Sequence, residues 1–428
     1  MVNVVIKRSE HLEGEIYTPS SKAYTHRMLI AALLSRGASK ISNPLISDDT
    51  NATLEAIKAF GAKAELQENY WTIRGVDSLR TPKNPINCGE SGSTLRFMIP
   101  VAAIAPGHSV FTCGPSLKRR PIEPLLLGLK QLGTGSSLQL KEGSSPIRIW
   151  GGGIRGGKTS MRGDISSQFV SGLLFACPKA KKDTEISITT PLESRNYVRM
   201  TIEVLDKHDI RIFASDNFKE LKIPSNQNYK PCNHEAPGDF SSAAFLLAAA
   251  AITSSRVKVK NLDQYTTQGD KAILDILKEM GSKVRVGDDC IEVEGEQLNA
   301  IDVDSKYIPD LVPVCAVLAC YSKGTSKIYN AKRLRYKESD RLSSLHAELK
   351  KMGAEIMMKE DGLVIRGSCK MHGTMIDPHN DHRIVMACAV AALAADGETK
   401  IQNSECVNKS YPRFFDDLRL LGANIVGR

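Results

Sequence analysis

Six short segments close alike, each a basic amphipathic helix end that stops at glycine or aspartate. They are residues 56–61 (AIKAFG), 128–133 (GLKQLG), 204–209 (VLDKHD), 276–281 (ILKEMG), 348–353 (ELKKMG) and 417–422 (DLRLLG). The closing positions advance by 72, 76, 72, 72 and 69 residues, so six copies fill the 428-residue chain almost without remainder. A second series alternates with the first: apolar, small-residue helices that run into a short strand. Three of its junctions nearly coincide, at 37–43 (GASKISN), 324–330 (GTSKIYN) and 397–403 (GETKIQN). Repetition at this period fixes the architecture before any residue is given a role.

Each copy reads as a helix, a strand, a second helix and a hairpin-like pair of strands. In the first, Met28, Leu29, Ala32 and Leu33 fall at helical spacing within 22–34, and 39–42 is short and extended. Asp48, Asp49 and Thr50 supply capping chemistry for a helix through Phe60, and strands at 62–66 and 70–74 flank a turn at Glu68-Asn69. The fourth copy repeats the plan, with Asp239 or Ser241 capping an alanine-rich helix and an amphipathic helix over 270–280. Helices on mixed sheets predict an α/β (α+β) fold in which several copies share each core. A chain of this length divides into two domains. The polar stretch 225–238, with Pro231 and Pro237, marks one boundary, and a crossing at 19–21 would return the N-terminal strand to the later half.

Four helices begin with cations, where the partial positive charge of a helix N-terminus disfavours them by about 0.3–1 kcal/mol. Lys22 and Arg27 follow Ser20-Ser21; Arg96 follows Glu90-Ser91-Gly92-Ser93-Thr94. Arg341 ends Lys337-Glu338-Ser339-Asp340-Arg341, and Arg383 ends Asn380-Asp381-His382-Arg383. Any one of these is ordinarily a solvated cation beside a local acid. Four at equivalent places in a repeat point to phosphate or carboxylate ligands. The net charge of +9 agrees with an anionic partner. Few aromatics and no long basic blocks argue against nucleic acid. The longest apolar stretch, Phe240–Ile252, is too short for a membrane span, and the N-terminus lacks a signal-peptide core. The ten cysteines are scattered without a CxxC pair, as in a reduced cytoplasmic protein. His379 and His382 stand three apart, but nothing completes a metal site, so neither metal nor cofactor is expected.

An ordered series of motifs resembles the 5-enolpyruvylshikimate-3-phosphate synthase family over essentially the whole chain. Residues 19–27 (PSSKAYTHR) resemble its PGSKSxSNR start, and 88–96 (CGESGSTLR) its glycine-rich loop ending in arginine. The series continues through 118–121 (KRRP), Ser166-Ser167-Gln168, Ser194 to Tyr197, 335–341 (RYKESDR), 380–383 (NDHR) and 409–412 (KSYP). The resemblance implies two similar domains of three βαβαββ units each, an inside-out α/β barrel with the active site in the interdomain cleft. Residues 1–18 with 238–428 would form one domain and 19–237 the other.

The implied reaction moves the enolpyruvyl group of phosphoenolpyruvate to the 5-hydroxyl of shikimate 3-phosphate through a tetrahedral intermediate. Shikimate 3-phosphate would be held by Lys22, Ala23, Arg27, Ser166, Ser167, Gln168, Ser194, Tyr197, Asp310 and Lys337. Phosphoenolpyruvate would be held by Lys22, Gly92, Arg120, Gln168, Arg341, Arg383 and Lys409. Lys22, Asp310 and Glu338 would handle protons, with Asp310 as base aided by Lys22 and Glu338 as acid. Ala23, Glu90, Phe97 and Arg333 depart from the family pattern, and Glu90 brings a negative charge where asparagine is common. Gly92 leaves one pocket wall open, so glyphosate sensitivity is expected, in a monomer.

Two rivals remain. The sister enolpyruvyl transferase acting on UDP-N-acetylglucosamine would carry a cysteine in a longer loop before its Arg-Pro; Cys113 precedes a short one. Residues 152–159, from Gly152 to Thr159, satisfy GxxxxGK[ST], the pattern of a P-loop NTPase, which requires a helix starting at Lys158-Thr159.

Overall fold

The computed structural model describes residues 3–138 and 146–427; Met1, Val2 and Arg428, the extreme positions of the expected domains, lie outside the described residues. The chain divides into two compact halves. A contiguous half comprises Ser21–Ala236, and a discontinuous half comprises Met1–Ser20 with Pro237–Arg428.

The repeat is visible in the backbone. All six closing positions take positive φ: Gly61 (114°), Gly133 (87°), Asp209 (63°), Gly281 (109°), Gly353 (96°) and Gly422 (97°). A helix that must turn straight into a strand ends most easily in the left-handed region, and glycine enters it without penalty. Asp209 is the exception and belongs to the small group of residues that tolerate that conformation. The second series has its own marker: Asn43, Asn330 and Asn403 adopt φ of 50°, 57° and 46° at the ends of their junctions.

There are six four-stranded sheets among the described residues, three in each half. One copy shows the pattern. Ile86–Asn87 runs parallel to His108–Thr112, with the helix Gly92–Ile104 as the crossover. The helix Glu123–Gln131 follows, and the hairpin of Ser136–Leu138 and Ile147–Trp150 pairs antiparallel to His108–Thr112 through its second strand. That is a βαβαββ unit. The fold is thus mixed α/β with a six-fold internal repeat.

The two helices of a copy differ in kind. Helices such as Phe240–Ile252, Val312–Tyr321 and His382–Ala394 are apolar all round and buried along nearly their whole length. A helix of that composition is stable only at the centre of a core. The second helices, such as Arg195–Lys207 and Arg341–Lys351, bury one stripe and expose the rest.

Three copies borrow a strand from a distant part of the chain. His234–Glu235 supplies the leading strand beside Ala38–Ser42, and Glu13–Tyr17 supplies the one beside Arg256–Lys260. Val4–Lys7 lies between Glu398–Ile401 and Ile425–Gly427, antiparallel to both.

Some local expectations are corrected. Ser47, not Asp48, caps the helix Asp48–Ala59; its hydroxyl and that of Thr50 exchange a capping box. The amphipathic helix expected from Asp270 begins as a 3-10 turn, Gly269–Ala272, and becomes α-helical at Ile273. Lys158 and Thr159 lie within the strand Gly157–Met161, paired parallel to Thr184–Ile188. No helix N-terminus is there to hold a nucleotide phosphate, so the P-loop reading fails.

Candidate active site

In the contiguous half, Lys22 is the first residue of the helix Lys22–Leu34, and its Nζ lies 2.9 Å from Asp49 Oδ2. Asp49 opens the neighbouring helix, so its carboxylate answers the cation that the helix start disfavours. Ala23 follows, half-buried. Arg27 is fully buried one turn on. Its Nε donates to Thr201 Oγ1 (2.8 Å), its Nη1 to Ala23 O (2.7 Å) and its Nη2 to Tyr197 O (2.8 Å). Its guanidinium also lies 5.2 Å from the Phe97 ring centroid and 5.8 Å from that of Tyr197. Burial pulls Arg27 down to about 10, which leaves it charged at neutral pH. Arg27 therefore joins the helices Lys22–Leu34 and Arg195–Lys207 as well as carrying charge. Phe97, which departs from the family pattern, forms part of this cage.

Ser194 precedes the helix Arg195–Lys207 with φ of 54°, and Tyr197 sits in its first turn. Ser166 caps the helix Ser167–Ala176 by accepting from Gln168 N. Gln168 is held at both ends: its Oε1 accepts from Arg96 Nη1 (2.6 Å) and its Nε2 donates to Ser93 Oγ (3.0 Å). Gly92 begins the helix Gly92–Ile104 behind Ser91, whose hydroxyl accepts from Thr94 N. Arg120 is buried with its guanidinium against Gly92, where an added Cβ would lie 3.1 Å from Nη1. Lys22, Arg27, Gly92, Arg96, Arg120 and Gln168 thus all stand at or beside helix starts of this half. Cys113 has its thiol raised by burial and then by Glu90, which argues against a reactive cysteine.

In the discontinuous half, Arg341 organises the cluster. It is fully buried, and its nitrogens reach three carboxylates. Nε donates to Asp381 Oδ2 (2.9 Å), Nη1 to Asp310 Oδ1 (2.8 Å) and Nη2 to Glu338 Oε2 (2.7 Å). Burial would lower its pKa, but Asp381, Glu338 and Asp310 hold it above the ordinary arginine value. A planar guanidinium presents five N–H donors in a fixed fork, which lets one side chain meet three acids from set directions.

Asp310 occupies the turn Pro309–Leu311 ahead of the helix Val312–Tyr321. Lys337 Nζ and Arg383 Nε each lie 3.5 Å from its Oδ1. Burial pushes this carboxyl up, yet Arg383, Lys337 and Arg341 together hold it well below the usual range, so it is ionised. Lys337 is lowered to about 8, chiefly by burial and against the pull of Asp310. Glu338 is buried beside Arg341. Asp381 caps the helix His382–Ala394 by accepting from Arg383 N (2.9 Å) and also accepts from Ser339 Oγ (3.1 Å). Lys409 is buried at the end of the turn Ser404–Lys409.

Three functional-looking residues, Asp49, Asp381 and Asp270, were given no place in the site by the motifs, and Arg96, singled out as a helix-start cation, was assigned to neither substrate. Each has partners far off in sequence, which no spacing rule reveals. Asp270 accepts a hydrogen bond from Ser241, and burial, then the Asp310 charge, raise it to about 7. Among the described residues no group of His, Cys, Asp and Glu could hold a metal ion, and no helix is long and apolar enough to cross a membrane.

Residues 6–418 match the family model described as EPSP synthase (3-phosphoshikimate 1-carboxyvinyltransferase). The 3-phosphoshikimate 1-carboxyvinyltransferase of Methanocella arvoryzae is 46% identical over 415 residues, covering 96% of this chain and 97% of that one. The enzyme of the same name from Methanocaldococcus jannaschii is 43% identical over 429 residues, covering 99% of each. Among solved structures, an EPSP synthase from Acinetobacter baumannii is similar with a TM-score of 0.84 at 26% identity, over 100% of both chains.

Proposed function

The chain belongs to the EPSP synthase family, the 3-phosphoshikimate 1-carboxyvinyltransferases, and from that premise we propose how its residues share the reaction. It transfers the enolpyruvyl group of phosphoenolpyruvate to the 5-hydroxyl of shikimate 3-phosphate and releases phosphate, a step of aromatic amino acid biosynthesis. Its substrates are small anions, each with a phosphate and a carboxylate. The observation that carries the residue assignment is the Arg341 cluster, where two cations and a buried arginine surround an ionised Asp310 and a buried Glu338.

The hydroxyl oxygen must lose a proton as it attacks C2 of phosphoenolpyruvate, and C3 must gain one. Asp310 takes the proton. A carboxylate held so acidic is a weak base, so transfer comes late, once the new C–O bond has made the hydroxyl proton acidic. Lys22 assists at the same oxygen. Glu338 donates to the methylene carbon, and its bond to Arg341 Nη2 holds it in place. Arg120, Arg341, Arg383 and Lys409 hold phosphoenolpyruvate together with the Gly92 backbone and stabilise charge in the tetrahedral intermediate. Arg27, Ser166, Ser167, Gln168, Ser194, Tyr197 and Lys337 hold shikimate 3-phosphate, beside Ala23. Glyphosate competes with phosphoenolpyruvate at the wall left open by Gly92. The enzyme works as a monomer in the cytoplasm; ten unpaired cysteines suit a reducing compartment.

The test is phosphate release from phosphoenolpyruvate, which must require shikimate 3-phosphate and stop with glyphosate. Glu338→Gln and Lys22→Ala, one from each half, are expected to lower kcat by about 10²-fold or more. Full turnover in either variant would remove that residue from the mechanism.

A further inference from the structure

Glu90 is the departure from the family pattern that the motif reading could not place. Its carboxylate turns to the backbone of another loop. Oε1 accepts from Ser116 N (3.1 Å) and Oε2 from Leu117 N (2.8 Å). The carbonyls of those same two residues accept from Arg119 N (3.3 Å) and Arg120 N (3.1 Å). One side chain is thus connected to the Arg120 backbone through hydrogen bonds in series. Next to them, Gly114 N donates to Gly89 O at 2.7 Å and clasps the two loops together.

Gly114 has an extended backbone (φ −73°, ψ 171°) that any residue could adopt. A Cβ there would nevertheless collide with the Glu90 carboxylate. The Glu90 carboxylate occupies the space that a side chain at 114 would take. An asparagine in its place would be one methylene shorter and would offer one neutral oxygen where Glu90 offers two charged ones, one to each N–H group. A charged carboxylate also makes the stronger bond to each.

We propose that Glu90 is a positioning residue for phosphoenolpyruvate. By fixing the turn Pro115–Lys118 it sets the Arg120 guanidinium against Gly92, and so sets affinity for this substrate and not for shikimate 3-phosphate. The inference rests on the assignment of Arg120 to phosphoenolpyruvate made above. The two N–H groups Glu90 accepts from offset part of its negative charge.

Steady-state kinetics on the full-length enzyme tests this with Glu90→Ala, Glu90→Gln, Gly114→Ala and Arg120→Ala. Glu90→Ala is expected to raise KM for phosphoenolpyruvate about tenfold, the effect of losing a charge-assisted pair of bonds at a loop, with kcat and KM for shikimate 3-phosphate within about twofold. Glu90→Gln keeps one acceptor and falls between. Gly114→Ala, which displaces the carboxylate without removing it, reproduces the Glu90→Ala split, and the double variant is no worse than either. If Glu90→Ala leaves KM for phosphoenolpyruvate unchanged while Arg120→Ala raises it, the positioning role is overturned. Equal changes in both KM values would also overturn it, since that is what general loosening of the fold produces. If Arg120→Ala is itself without effect, the site assignment fails instead. Should Glu90→Ala fold poorly, Gly114→Ala and Glu90→Gln decide the matter by the same comparison.

Discussion

Lys337 is the side chain whose surroundings change its chemistry most usefully. With a pKa near 8, its ammonium is nearly complete at pH 7 and is lost over the next two units. An anionic substrate binds the charged form, so kcat/KM for shikimate 3-phosphate should fall about tenfold per pH unit above 8. Lys337→Arg, which stays charged, should remove that limb of the profile; an unchanged limb would assign it to another group. The stability effect has the opposite sign. Between about 8 and 10.5 the unfolded chain binds the extra proton, so the native state gains stability as pH rises through that window. The sequence showed Lys337, Glu338 and Arg341 as one motif. It could not show that Arg341 also holds Asp381, 40 residues away, because an ion pair of that separation leaves no periodicity. Arg27 is a similar case, since Thr201 and the Tyr197 carbonyl reach it from a helix some 170 residues on.

Between elements, the pair His208 and His234 joins the end of one helix to a borrowed strand. His208 Nδ1 lies 2.6 Å from Lys230 O and so carries the proton that it donates there. Its Nε2 is then the acceptor for His234 Nε2, 2.8 Å away, and the arrangement requires a neutral His208. Burial lowers His208 to about 4, and burial with the neighbouring His208 lowers His234 to about 3. Both values lie below the unfolded histidine value, so stability is complete above pH 6.5 and declines as pH falls toward them. At about pH 5 each contributes a loss of about 2 kcal/mol. His234→Gln keeps a donor for His208 and should shrink the acid loss by that amount, read by denaturant unfolding at about pH 7.5 and 5. An undiminished loss would place the titration elsewhere, with the buried His26 as the next group to replace. Most helices and hairpins were legible because their patterns are local, as the helix Lys22–Leu34 and the strand Tyr70–Arg74 show. The strand His234–Glu235 was not: two residues carry no alternation, and its partner is Ala38–Ser42. Helix caps lay between these cases, since Asp48 and Ser47 are chemically equivalent candidates one residue apart.

For the molecule as a whole, the six-fold repeat gives six similar sheets, but the chain does not deliver them in order. Val4 and Ile6 are buried in the middle of a sheet whose other strands come from residues 375–427. Removing residues 3–8 would leave Glu398–Ile401 and Ile425–Gly427 without their shared partner. Cooperative unfolding of the discontinuous half should be lost, seen as a second, earlier transition in denaturant; a single unchanged transition would contradict this. The contiguous half, by contrast, has every strand of its three sheets in hand once residue 235 has been made. On a ribosome adding about 5–20 residues per second, the remaining 190 or so take roughly 10–40 s. Throughout that interval Val4–Lys7 waits for Glu398–Ile401 and Ile425–Gly427, its apolar residues open to the wrong neighbour, whereas Glu13–Tyr17 waits only until Arg256–Lys260 has been made. Synthesis of this enzyme therefore has a built-in vulnerable period, and a chaperone that shields Val4–Lys7 during it would raise yield more than one acting on the finished chain.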